Sequence, residues 1–198
     1  NSYNFISVRD TNTANLVKMM TGSDPFIVVD PTLLFTPKFF KNSINKTEKQ
    51  LKKCAIIYGT VFSNEEKRKI LNYCKKKNLQ SISIGFLNNW VDKNYIHATP
   101  EDLIFYMSQA DSVFTSMFHG IMLSVKLKKQ FWYSIDPIRE NKIFYFINYL
   151  NLSSRLLSKS ENLNDEIDYV KVEAKLINWI KLSREYLINS INKSGLTI

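Results

Sequence analysis

Cys54-Ala-Ile-Ile-Tyr58 is an unbroken apolar run that ends at Gly59, and it limits the possible folds more than any other segment of the chain. A strand with no polar alternate has no face for water, so it belongs inside a parallel sheet covered by helices on both sides. The residues that follow supply such a cover. Ser63-Asn-Glu-Glu66 has the spacing of a capping box, in which the Ser hydroxyl and the Glu carboxylate each satisfy an orphan amide, and it predicts a helix to about Lys77. Ser81-Ile-Ser-Ile84, ending at Gly85, repeats the strand. After a loop holding Trp90, Thr99-Pro-Glu-Asp102 opens another helix with Pro in its first turn. Residues 111–116, 119–126 and 130–134 then read as strand, helix and strand. Strands alternating with helices imply an α/β fold, a Rossmann-like, doubly wound parallel sheet.

Upstream, Phe5-Ile-Ser-Val8 and Phe26-Ile-Val-Val29 read as further strands around a helix over residues 12–20 that Thr21-Gly22 would end. Asp30-Pro31 stops the second strand, because proline has no donor to continue a ladder. The basic stretch 35–53, with its Phe39-Phe40 pair, reads as a connection. Beyond Pro137 the pattern is wholly helical, over residues 139–150 and about 165–190, with apolar positions at Val172, Leu176, Trp179, Ile180 and Leu187. The expected division is therefore a sheet domain over 1–137 and a helical extension over 138–198, packed on that domain or on an absent amino-terminal half. The chain opens on Asn1 rather than Met and reaches a strand almost at once, which implies that an upstream segment has been removed.

At 198 residues, with 44% hydrophobic and 23% charged residues, the composition is that of an ordinary globular chain. Its 27 basic and 18 acidic residues leave a net charge of +9, which suits nucleic acid, anionic lipid or a phosphorylated small molecule. The basic runs at 46–53, 67–69, 75–77 and 126–129 lack interleaved aromatics and read as solvated faces, so nucleic acid is not the expected partner. Cys54 and Cys74 sit inside a strand pattern and a helix pattern, without the spacing of a disulfide framework or a zinc site. With only His97 and His119, neither at a ligand-pair spacing, a catalytic metal is not expected either. No run reaches the length of a membrane span, so a soluble, cytoplasmic setting fits. Neither a P-loop nor a G-x-G-x-x-G fingerprint is present.

Gly59, Gly85 and Gly120 each fall at or just after the carboxyl end of a strand, the edge where open parallel sheets bind ligands; as plain turn glycines they would sit there too. The sharpest feature is Thr115-Ser-Met-Phe-His-Gly120, between a strand and a helix. A helix start offers free amides to an anion, Gly120 allows close approach, Ser116 would add a hydroxyl donor, and His119 is a candidate general acid. A turn-capping histidine is the plainer alternative. Arg9, ending a strand, could turn its planar fork to a carboxylate or phosphate, or pair with Asp10 or Asp30.

Ile6-Ser-Val-Arg-Asp10, Asp30-Pro-Thr-Leu-Leu34 and above all Val113-Phe-Thr-Ser-Met-Phe-His-Gly120, preceded by Pro100-Glu-Asp-Leu103 and Ala110-Asp111, resemble the polysaccharide pyruvyl transferase family. The motifs keep the family's order across residues 5–157. The resemblance implies a GT-B-like fold of two Rossmann-type halves, of which this chain would be the carboxyl-terminal one. It implies transfer of a pyruvyl group from phosphoenolpyruvate to two hydroxyls of a sugar in a growing cell-surface glycan, with no cofactor. By the same resemblance Arg9 and His119 would hold the donor's phosphate and carboxylate, with Ser116, Met117 and Phe118 lining the pocket; Tyr58, Gly59 and Gly120, at the same strand edge, are expected to bind substrate with them. Some members carry Arg at the place of Met117, so less positive charge faces the donor here. The implied partners are a free or lipid-linked glycan acceptor, the inner face of a bacterial membrane, and the absent half or a second copy. A half of a nucleotide-sugar glycosyltransferase and a non-catalytic module of a glycan assembly complex are the competing readings.

Overall fold

Asp10 starts the first helix. Its carboxylate accepts the Thr13 amide at 2.8 Å and the Thr13 hydroxyl at 3.0 Å, so α1 (Thr11–Thr21) begins one residue before the expected point. Gly22 ends it in the left-handed conformation at φ 73°, donating its amide to the Lys18 carbonyl. On either side lie β1 (Ser7–Val8) and β2 (Phe26–Ile27), paired in parallel, and a 3-10 turn over Pro31–Leu34 follows. These two strands form a sheet of their own and do not join the main sheet, which corrects the expectation of one continuous sheet from Phe5 onward. The computed structural model describes residues 5–34, 53–135 and 140–194; the connection expected over 35–53 lies almost wholly outside the described residues.

The main sheet is built from β3 (Cys54–Tyr58), β4 (Gln80–Ile84), β5 (Lys93–Tyr95), β6 (Ser112–Thr115) and β7 (Gln130–Tyr133). All its pairings are parallel, in the order β5-β4-β3-β6-β7. Helices α2 (Asn64–Lys77), α3 (Pro100–Gln109) and α4 (Phe118–Lys126) connect the strands, so the class is α/β and Rossmann-like. Both expected capping boxes form, Ser63 with Glu66 and Thr99 with Asp102. β5 falls in the stretch read as a loop around Trp90. Its Lys-Asn-Tyr sequence carries no apolar run, and it is a strand because its backbone extends the edge of β4. Inside, Ala55, Ile57, Ile70, Phe114, Trp132 and Leu157 pack into one core cluster. Cys54 and Cys74 are buried free thiols; burial pushes them up to about 11 and about 12, which makes them poor nucleophiles.

The chain then builds α5 (Glu140–Tyr149) and, after a 3-10 turn over Ser153–Arg155, the long helix α6 (Tyr169–Lys193). By its internal contacts the chain divides into two compact units. One gathers residues 1–34, 141–152 and 168–198, and the other 35–140 and 153–167, so the tail groups with the first residues of the chain. In the first unit, Trp179 of α6 packs on Tyr145, Phe146 and Tyr149, at ring separations of 5.6, 6.2 and 4.5 Å, and donates its indole N–H to the Ile27 carbonyl at 3.3 Å. Ser183 accepts the Val29 amide at 3.0 Å, and Tyr186 stacks on Phe26 at 4.6 Å while its hydroxyl reaches the Ile6 carbonyl. A two-stranded sheet alone is marginal in water, so these contacts from α6 are what holds it.

Trp179 is 5% exposed, whereas Ile177 on the same helix is 64% exposed. Trp179→Ala should therefore cost about 3–5 kcal/mol in urea unfolding, and Ile177→Ala within about 0.5 kcal/mol.

Candidate functional site

From β3 the chain first adds strands on one side, β4 and β5, and then on the other, β6 and β7. The connections leave the carboxyl ends of β3 and β6 in opposite directions, which makes the space above them the topological switch point of the sheet, where open α/β sheets bind ligands. Tyr58 and Thr115 are the last registered pair of these two strands. Every residue of the Thr115-to-Gly120 motif follows from that pair.

The two strand ends come closer than most residues permit. Gly59 has φ 119°, and a Cβ there would collide with the Ser116 hydroxyl and lie 3.2 Å from the Ser116 nitrogen. Thr115 donates its hydroxyl to the Tyr58 carbonyl at 2.8 Å and accepts the Met117 amide at 3.0 Å, while the Ser116 amide donates to the same Tyr58 carbonyl at 3.1 Å. Then α4 begins. A Cβ on Gly120 would collide with the Thr115 hydroxyl and lie 2.8 Å from the Tyr58 ring, so the first turn of the helix rests directly on the strand ends. Gly120 is a close-approach glycine, whereas Gly59 is required twice over, by its neighbours and by a φ that other residues rarely adopt, so the turn-glycine alternative fails for Gly120 alone.

No side-chain hydrogen bond caps the α4 N-terminus. Met117 is extended there, half-buried, and the first intrahelical bond runs from the Ile121 amide to the Met117 carbonyl. His119 is exposed on that first turn, its ring 5.9 Å from the Phe118 ring, which is itself buried. Tyr58 lies beside Gly120, its ring meeting Phe86 edge to face at 5.4 Å. Burial pushes the Tyr58 phenol up from its ordinary value, so it remains a neutral donor across the physiological range. A helix start carries partial positive charge on its amides, and the Tyr58 ring and the exposed His119 lie beside this one.

The structure thus brings Tyr58, Gly59, Ser116, Met117, Phe118, His119 and Gly120 into one neighbourhood, with changes of role. Ser116 is fully buried, and its hydroxyl accepts the Val61 amide at 3.2 Å, so it fixes the loop after β3 instead of facing a ligand. Phe118 is a core residue of the helix start. Arg9 belongs to the other compact unit and pairs through Nη1 with Asp30, the ion-pair alternative read from the sequence. Burial pushes the Asp30 carboxyl up, but hydrogen bonds from Thr32 and the Arg9 guanidinium outweigh it and hold the group below the ordinary carboxylate range. Met117 donates its amide to the Thr115 hydroxyl, and its side chain lies beside Gly59, 3.2 Å from where a Cβ there would sit. Among the described residues no cluster of His, Cys, Asp and Glu could hold a metal ion, and no helix is long and apolar enough to cross a membrane.

Two residues that sequence reasoning missed as parts of this edge are Asn88 and Glu66. Asn88 is buried and ties the edge together, donating to the Gly59 carbonyl and to Ser83, both at 2.9 Å, and accepting from Trp90. Glu66, the capping-box carboxylate, also accepts the Ser134 hydroxyl at 3.1 Å, linking the start of α2 to the end of β7. Nothing in the Asn-Asn-Trp loop sets Asn88 apart from its neighbour.

If close approach is what Gly120 provides, Gly120→Ala should destabilise the protein by about 1–3 kcal/mol in urea unfolding, despite the better helix propensity of alanine. Unchanged stability would show that the helix start does not rest on Thr115 and Tyr58.

Comparison with curated proteins and with solved structures finds no match to this chain. The sequence profile of one family, polysaccharide pyruvyl transferase, matches residues 1–136, which take in both the Ser-Val-Arg segment and the whole switch-point site. With well over half of its length matched, the chain belongs to the polysaccharide pyruvyl transferase family.

Proposed function

We propose that the switch-point site binds phosphoenolpyruvate and that the protein transfers its pyruvyl group to two hydroxyls of a sugar in a cell-surface glycan, closing a cyclic ketal. The observation that carries this reading is the uncapped start of α4, seated on Gly59 and Gly120, with His119 exposed on its first turn. The helix start and its dipole suit one anionic group of the donor, and Tyr58 and Met117, which lie beside Gly120 and Gly59, offer apolar surface to its short carbon frame. Family membership supports pyruvyl transfer as the general activity.

The chemistry asks for a proton donor beside an anion site. In this reading the His119 imidazolium delivers its proton to the methylene carbon, and the π pair of the C=C bond becomes the new C–H bond. The neighbouring carbon becomes oxocarbenium-like, and a sugar hydroxyl adds to it; the imidazole, now neutral, takes the hydroxyl proton. The C–O bond to phosphate then breaks with its electron pair going to phosphate. The second hydroxyl adds in its place, and its proton leaves with the phosphate. Donor and diol become ketal and inorganic phosphate, with no change of oxidation state overall. The amides of the helix start stabilise the negative charge that builds on the departing phosphate, and they are already aimed before the reaction begins.

Calorimetric titration of the chain with phosphoenolpyruvate tests the reading, beside His119→Ala and a nucleotide-diphosphate sugar. Because His119 is exposed, the substitution should leave the unfolding midpoint unchanged while weakening phosphoenolpyruvate binding about tenfold or more, roughly 1.4 kcal/mol. Equal affinity in the variant, or preference for the nucleotide sugar, would contradict it.

A further inference from the structure

The first compact unit holds a pocket of about 270 Å³ that no part of the donor reading uses. One wall is a single face of α5, where Asn141, Phe144, Tyr145, Asn148 and Tyr149 recur at helical spacing, and the other is the first turn of α1, with Thr11 and Asn12. The aromatic residues are half-buried and form the floor, while the three asparagines and the threonine are exposed and form the rim. Among the described residues the lining carries no charged side chain.

That inventory selects a ligand class. Three carboxamides, a hydroxyl and two phenols offer donors and acceptors in comparable number, as a polyhydroxylated ligand needs, and the aromatic rings offer flat apolar area to its C–H faces. An anion would find no cation here, and a wholly apolar ligand would leave the amide rim without partners. The volume, just under the roughly 300–1,000 Å³ typical of drug-sized ligands, suits a ligand of one sugar ring. The floor is also rigid before any ligand arrives. Tyr145 and Tyr149 are backed by Trp179, whose indole is fixed to the Ile27 carbonyl, and Lys175 holds the Tyr149 carbonyl at 3.1 Å. Burial, the adjacent Tyr149 and the Asp10 carboxylate push the Tyr145 hydroxyl up, so it stays protonated as a donor.

We propose that the pocket between α5 and the start of α1 is a binding site for a single neutral pyranose ring of a glycan, stacked on Tyr145 and Tyr149 and hydrogen-bonded by Asn12, Asn141 and Asn148. As a sugar site it stands on its own lining; as the place where the acceptor is gripped it rests on the transferase reading above.

Saturation-transfer NMR on the full chain tests it, using the methyl glycosides of glucose, galactose, mannose and N-acetylglucosamine, with adenosine as a neutral ligand of the wrong class. The expected result is transfer to the ring protons of at least one glycoside and none to adenosine. Asn141→Ala combined with Asn148→Ala should weaken that glycoside about tenfold or more, with helix content intact, since both positions are exposed and alanine favours a helix. His119→Ala should leave glycoside binding unchanged. Absence of transfer from every glycoside, equal binding in the double variant, or preference for adenosine would overturn the proposal. Glycoside binding without phosphoenolpyruvate binding would remove the transferase reading and leave this pocket standing, and the reverse result would do the opposite.

Discussion

Everything at the carboxyl edge of the main sheet depends on how closely the ends of β3 and β6 approach. Gly59 lies against Ser116, and Gly120 lies against Thr115 and the Tyr58 ring, at separations that leave no room for a Cβ. That packing seats the start of α4 directly on the switch point. Were either glycine replaced, the helix would have to lift, and its amides would no longer share a surface with Tyr58. The site is a consequence of two missing methyl groups, and its electrostatics follow from where the helix is forced to begin.

Around that contact the structure spends its buried polar groups on fixing loops. Asn88 holds the Gly59 carbonyl, Ser116 holds the Val61 amide, and Glu66 joins the start of α2 to Ser134. Each of these groups is buried and hydrogen-bonded, so each would be expensive to displace. The loops around the start of α4 are therefore fixed by buried contacts, as the proposed stabilisation of a departing phosphate would require. The first unit is organised in the same manner by α6, which supports a short sheet and the aromatic floor of its pocket at once.

Most of the sheet was legible because its signals are local. Apolar runs such as Cys54–Tyr58 and Ser112–Thr115 can only be interior strands, and the capping boxes at Ser63 and Thr99 mark helix starts by chemistry within four residues. β5 was illegible because it owes its conformation to β4, and its own residues carry no strand signal. The separate two-stranded sheet was illegible for a related reason: Phe26-Ile-Val-Val29 looks like any other buried strand, and only pairing decides which sheet it joins. At the site, His119, Gly59 and Gly120 could be picked out from their place after strands. The Arg9–Asp30 pair was among the alternatives too, but the burial of Ser116 was not legible, since it depends on what the chain brings opposite it.

The most direct test of the central claim follows backbone amides during addition of phosphoenolpyruvate to the isotope-labelled chain. The account predicts that the amide signals of Phe118, His119 and Gly120 shift together and saturate, while that of Gly22, already committed to the Lys18 carbonyl in the other unit, stays in place. Saturating shifts elsewhere in the chain with these three unmoved would contradict it, because the anion would then be bound somewhere other than the helix start that Gly59 and Gly120 position.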